Sequence, residues 1–192
     1  MMNKKRLLVL SSPSGGGKST IAKELLRLFP NLRLSVSATT RKIRPGEQDG
    51  VQYNFMTRKD FELKISNAEF VEYEEIFGNY YGTLKSEIDK AFSDCYCLIF
   101  DVDVKGAMSV KNFYPDDSLL IFIAPPDKDT LELRLRKRST ETEEQIKTRL
   151  DRAELEMSFT DKFDFIIIND NLEKAINDVI EIVKQNMRVN DK

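Results

Sequence analysis

Ser14-Gly15-Gly16-Gly17-Lys18-Ser19-Thr20 sets three glycines, a lysine and three hydroxyls a few residues behind the apolar run at residues 7–10. These residue types at this spacing are suited to holding phosphate. Glycines let the backbone take conformations that a side chain forbids, so successive N–H groups can converge on an anion. A helix starting there adds its dipole. In such a loop Lys18 reaches the β and γ phosphates, Ser19 ligates Mg²⁺ and Thr20 hydrogen-bonds the α phosphate. The usual pattern has its first glycine at position 12, and this chain has Ser12. The wrapping glycines come later, so a small hydroxylic residue at the strand exit is expected to be tolerated.

Two further groups invite the same chemistry. Asp101 ends the apolar run Leu98-Ile99-Phe100, with Asp103 just beyond. Acids at the end of a buried strand are costly unless they meet a cation or a donor, and a carboxylate there suits Mg²⁺, directly or through water. Capping of the next helix is the other reading of each acid. The second group is basic. Residues 25–46 hold no acid and five bases, Arg27, Arg33, Arg41, Lys42 and Arg44, amid many hydroxyls. Arginine forks and hydroxyls suit a terminal phosphate dianion, which suggests a second phosphate site apart from the loop.

Elements must hold these groups. Five mostly continuous apolar segments, 7–10, 34–38, 96–102, 119–124 and 163–168, read as strands buried on both faces of a parallel sheet. Helical spacing lies between them, as at Ile21, Leu25 and Phe29, and at Leu172, Ala175, Ile176, Val179, Ile180, Val183 and Met187. The alternation argues an α/β fold with a mostly parallel sheet flanked by helices. Two regions interrupt it. Residues 53–90, with a short helical patch and then an aromatic run, look like an inserted subdomain. Residues 127–162 carry 10 acids and 9 bases. That composition suits a solvated helical pair, and equally a mobile cover over a charged substrate.

The 192 residues suffice for one domain with a sizeable core. A net charge of -2 gives no global field for nucleic acid or an anionic membrane. With no histidine, His-based catalysis and His-ligated metals are excluded. Cys95 and Cys97 read as reduced residues at or near the core, sharing one face of a strand. The first apolar run is too short for a signal peptide and none approaches membrane-spanning length, so a cytoplasmic location is expected.

The stretch S-V-S-A-T-T-R-x-x-R-P-G-E-x-x-G-x-x-Y-x-F, residues 35–55, resembles the signature of guanylate kinases. PSGGGKST, FVEYEEIFGNYYGT, FDVDVKGA, RLRKRSTETEEQIKTRL and FIIIND extend the resemblance over nearly the whole chain. Two departures are Ser12 for a frequent glycine and Thr83 for an occasional serine. The resemblance implies a P-loop fold in one domain: a core of about 1–36, 91–126 and 163–192, a GMP-binding subdomain of about 37–90, and a lid of about 127–162. It implies ATP and GMP as substrates, with Mg²⁺, and GDP as product. By motif, Ser14, Gly15, Gly16, Gly17, Lys18, Ser19, Thr20, Arg134 and Asn169 would hold ATP. Arg134 would lie beside the adenine and Asn169 near its edge. Ser37, Arg41, Arg44, Tyr53 and Tyr81 would hold the GMP phosphate, and Glu72 and Thr83 would read the guanine. Asp103 resembles a residue that faces the nucleoside. Lys18, Arg41, Arg138 and Arg149 would meet charge on the transferring group, with Ser19 and Asp101 at the metal. The guanine assignment has its own logic, since N1–H and the exocyclic amine give a carboxylate two adjacent donors. Use of dGMP, a role in guanine nucleotide recycling and a possible homo-oligomer are further expectations. An interaction module that has lost activity, or a kinase of related fold with another acceptor, are the alternatives at this point.

Overall fold

The computed structural model describes residues 4–137 and 142–190. A five-stranded parallel sheet is built from β1 (Leu7–Ser11), β2 (Leu32–Leu34), β7 (Cys97–Asp101), β8 (Ser118–Ala124) and β9 (Phe165–Ile168), in the order β2-β7-β1-β8-β9. All its pairings are parallel. β1 is central and alternates between two cores. Leu8 and Leu10 join Ile21, Leu25, Ile121, Val179 and Val183 on one face. Leu7 and Val9 join Leu98, Phe100, Val104, Leu120 and Phe122 on the other. Burying one such side chain stabilises by about 1.5–3 kcal/mol, which favours four consecutive apolar residues ahead of the buried Ser11.

Helices α1 (Lys18–Leu28) and α7 (Leu172–Asn186) cover the first face. Helices α3 (Lys85–Ser93) and α4 (Val104–Phe113) cover the second. Ile88 and Ala91 of α3 are buried in that second core, so this helix packs with the central sheet. Side chains cap several helices: Asp103 accepts from the Gly106 amide at the start of α4, and Asn171 from the Lys174 amide at the start of α7. No side chain caps α1, whose N-cap is Gly17.

A second sheet, in the order β4-β3-β6-β5, uses β3 (Ala38–Thr39), β4 (Asn54–Phe55), β5 (Phe70–Ile76) and β6 (Asn79–Leu84). Helix α2 (Arg58–Ser66) brings Phe61 onto its inner face. The Phe61 ring stacks on Phe70, with centroids 4.2 Å apart, and on Tyr80 at 5.1 Å. The β5–β6 hairpin turns through Phe77 and Gly78, at φ 49 and 76. Two positive φ values are what a tight two-residue hairpin turn requires. Phe77 is 100% exposed at the tip.

The charged region forms α5 (Lys128–Arg136) and α6 (Glu143–Met157). Thr142 and Gln145 close a capping box at the start of α6. Lys128–Glu154 and Arg136–Glu143 ion pairs lace the two helices together. Among the described residues no helix is long and apolar enough to cross a membrane.

Three sequence expectations need correction. Residues 34–38 are not one strand: β2 ends at Leu34, the Ser35 amide donates to the Ile99 carbonyl, and Ala38 already belongs to the second sheet. Two different partners claim the halves of this segment. The last strand starts at Phe165 rather than Phe163, and it is an edge with Ile166 and Ile168 exposed, so it is not buried on both faces. Cys95 sits exposed before β7 at φ 58, while Cys97 is buried, so the two do not share a strand face. Burial pushes the Cys97 thiol up to about 11.

Candidate active site

Ser14 to Thr20 link β1 to α1 along one wall of a cleft of about 1110 Å³. Gly15 and Gly17 take φ 94 and 97, in the left-handed region. At Gly17 space forbids a side chain as well, since a Cβ would lie 2.2 Å from Asn169 Nδ2. A Cβ on Gly16 would lie 1.8 Å from Ser12 Oγ. Ser12 is buried and its hydroxyl donates to the Pro13 carbonyl at 3.0 Å. Lys18 Nζ lies 2.6 Å from Asp101 Oδ1 and donates to the Val102 carbonyl at 3.1 Å. Ser19 and Thr20 open α1 on the same cleft, their side chains exposed.

Across the cleft, Arg149 of α6 donates to Ser14 Oγ at 2.6 Å, so the charged region already touches the loop. Arg134 of α5 donates to the Asn169 carbonyl at 2.8 Å. The Asn169 side chain is buried and donates to the Gly16 carbonyl at 2.7 Å. That side chain braces the loop from behind. Arg138 lies outside the described residues.

The second sheet assembles the other group. Strand alternation in β6 sends Tyr80 and Leu84 to the small apolar core, and Tyr81 and Thr83 to the opposite face. Gly82 lies between them, where a Cβ would meet the Glu72 carbonyl at 2.7 Å. An irregularity in the β5 ladder between Phe70 and Glu72 re-aims Glu72. Thr83 Oγ1 then donates to Glu72 Oε1 at 2.7 Å. Burial pushes the Glu72 carboxyl above its ordinary value, and the nearby Asp103 carboxylate adds to this against the Thr83 hydrogen bond.

Tyr53 and Tyr81 meet edge to face at 5.9 Å, and the Arg41 guanidinium lies 5.3 Å from the Tyr53 ring centre. Arg41 is also gripped by Glu47, at 2.7 and 3.0 Å. Arg44 is exposed on the same turn, its amide donating to Glu47. Ser37 is half-buried at the start of β3, its carbonyl accepting from the Asn54 amide. Asp103 caps α4 through Oδ1 and meets Arg152 of α6 through Oδ2, at 3.2 Å.

The structure thus brings together Lys18, Asp101, Ser14 and Arg149 around the loop, and Arg41, Tyr53 and Tyr81 on the second sheet, the arm of the molecule, with Glu72 and Thr83 in its β5 and β6 strands. Sequence reasoning passed over Glu47, Arg152 and Glu156. Glu47 left a signal, being the first acid after a long basic stretch. Arg152 and Glu156 left only their four-residue spacing on α6, with no pointer to Asp103.

Among the described residues no group of three or more acidic or cysteine side chains could hold a metal ion. Mg²⁺ keeps several waters and takes one or two carboxylates plus substrate oxygens. Asp101 and Ser19 are oxygen donors of that kind on one cleft.

Comparison with known proteins gives one consistent result. Residues 4–186 match the family model described as guanylate kinase. A guanylate kinase from Chlorobium luteolum is 54% identical over 91% of this chain and 89% of its own length. One from Salinibacter ruber is 43% identical over 96% of this chain and 98% of its own. Among solved structures, a crystal structure of guanylate kinase from Anaplasma phagocytophilum aligns with a TM-score of 0.72 at 30% identity, covering 96% of this chain and 87% of that one.

Proposed function

Because the chain belongs to the guanylate kinase family, and so phosphorylates GMP to GDP with ATP, we propose that the loop cleft holds ATP and the second-sheet arm holds GMP. The observation that carries this division is the Thr83–Glu72 hydrogen bond on the face that also bears Tyr81. A carboxylate fixed there can accept from guanine N1–H and the exocyclic amine. Adenine has no N1 hydrogen and would leave that carboxylate unpaired, a mismatch of the kind that discriminates by roughly 10⁴ or more.

The amides of Gly15 to Ser19 and the α1 terminus cradle the ATP phosphates. Lys18, now on Asp101, reaches the β and γ phosphates. Ser19 and Asp101 are the residues that would hold Mg²⁺, which supplies charge neutralisation when bound. Arg41, Arg44, Ser37, Tyr53 and Tyr81 hold the GMP phosphate. Arg41 must share its fork between Glu47 and that phosphate, so Glu47 presets its direction. The acceptor phosphate oxygen attacks the γ phosphorus in line, and the bond from that phosphorus to the β–γ bridging oxygen breaks, leaving ADP. That acceptor oxygen is already anionic near neutral pH, so no general base is needed, in keeping with a chain without histidine. Arg149, Lys18 and Arg41 meet the developing charge, and α5 and α6 exclude water. Arg134 and Asn169 flank the loop where the adenine would lie. A place in recycling guanine nucleotides follows from this reaction.

A coupled ADP-release assay with GMP, dGMP, AMP, UMP and CMP side by side tests this. GMP is expected to give turnover far above AMP and the pyrimidine nucleotides, with dGMP also accepted. Equal turnover with AMP would sink the guanine assignment.

A further inference from the structure

Arg152 lies outside every role assigned so far. Its Nε donates to Glu156 Oε1 at 3.1 Å, one turn along α6, and its Nη2 to Asp103 Oδ2 at 3.2 Å. Glu156 is buried and holds the guanidinium from behind. Asp103 is thereby fixed at both oxygens, since Oδ1 already caps α4. A helix cap needs one oxygen only. The second is taken by an arginine from the donor cover.

Stability does not explain this bridge. The Arg152 side chain is 54% exposed, and ion pairs so exposed contribute little. Location does. Asp103 lines the cleft that holds the loop, and it also lines a second cavity of about 570 Å³ beside Glu72. Among the described residues it is the one that belongs to both. The carboxylate that joins the loop cleft to the space beside Glu72 is thus oriented from α6.

We propose that Arg152 is a positioning residue for the acceptor nucleotide, acting through Asp103 to hold that carboxylate toward the guanosine of GMP. The inference rests on the reading of the second-sheet arm as the GMP site. It assigns a role on the acceptor side to a residue of the donor cover.

Removing Arg152 alone leaves Glu156 buried without its partner, so Arg152→Met is made both alone and together with Glu156→Gln, and melting is checked for each. Equilibrium binding of GMP and of a non-hydrolysable ATP analogue is measured for these, for Arg152→Lys, for Asp103→Asn and for the Arg152→Met/Asp103→Asn pair. Loss of one charge-assisted hydrogen bond is expected to weaken GMP about tenfold, with the analogue within about twofold and partial recovery in Arg152→Lys. In the Asp103→Asn background, Arg152→Met is expected to add nothing, as a shared path requires. Unchanged GMP binding, equal weakening of GMP and analogue, or full additivity with Asp103→Asn each overturns the inference. If Asp103→Asn and Glu72→Gln leave GMP binding intact, the arm is not the GMP site. If they weaken it while Arg152→Met does not, only the role of Arg152 fails.

Discussion

Two residues define what single side chains contribute here. On the proposed reading Glu72 must be ionised to accept two guanine donors, yet burial raises its carboxyl above the ordinary range. The sign is therefore fixed. GMP binding weakens as pH falls through the raised value, at a higher pH than an ordinary glutamate near 4.3 would give. The pH profile of kcat/KM for GMP should show this acid limb, and that for ATP should not. Glu72→Gln should weaken GMP use far more than ATP binding; unchanged GMP turnover would remove Glu72 from the site. Ser12 is the opposite case. Its hydroxyl makes one local bond, to its neighbour's carbonyl, and a hydroxyl bond is worth roughly 1 kcal/mol. Ser12→Gly should keep kcat/KM for ATP within about fivefold, and a much larger loss would show that the cradle needs this oxygen. The placement of the loop glycines between β1 and α1 was legible in sequence, because near neighbours in the chain set it. Arg152 was not, since its partner Asp103 is brought close only by folding.

Elements were legible wherever one partner claims a whole run. β1, β7 and β8 follow directly from their apolar stretches, because both faces are buried. The segment from Leu34 to Ala38 misleads for the complementary reason, that its halves hydrogen-bond to different sheets. No pattern within the segment encodes partners that lie so far along the chain. Helix ends behave locally, and their worth can be measured. Asn171 accepts from the Lys174 amide at 2.9 Å and starts α7, whose Val179 and Val183 are fully buried. Asn171→Ala should cost about 1 kcal/mol and lower Tm by about 2–4 °C, read by calorimetry with kinetics unchanged. An unshifted Tm would mean that the terminus frays without cost.

At the scale of the molecule, the second sheet has a small core of its own but is tied to the parallel sheet through Val71 of β5, which is buried in the second of the two larger clusters. Phe61, Phe70 and Ala38 form the arm's own cluster, apart from the two clusters on the parallel sheet. Phe61→Ala should cost about 3–5 kcal/mol, concentrated in the arm. Hydrogen exchange should then quicken across residues 54–84 while β1 and β8 stay protected, with KM for GMP raised more than KM for ATP. Uniform quickening would mean that the arm and the central sheet melt as one unit. The hairpin tip has a consequence of an optical kind. The chain contains no tryptophan, and Phe77 stands fully in water on the rim of the cleft that α6 bounds from the other side. Phe77→Trp would make the protein report its own shape through a single indole. Its emission should move to shorter wavelength when GMP and a non-hydrolysable ATP analogue are both present. An indole that stays water-like in that ternary complex would place the tip outside the closed site.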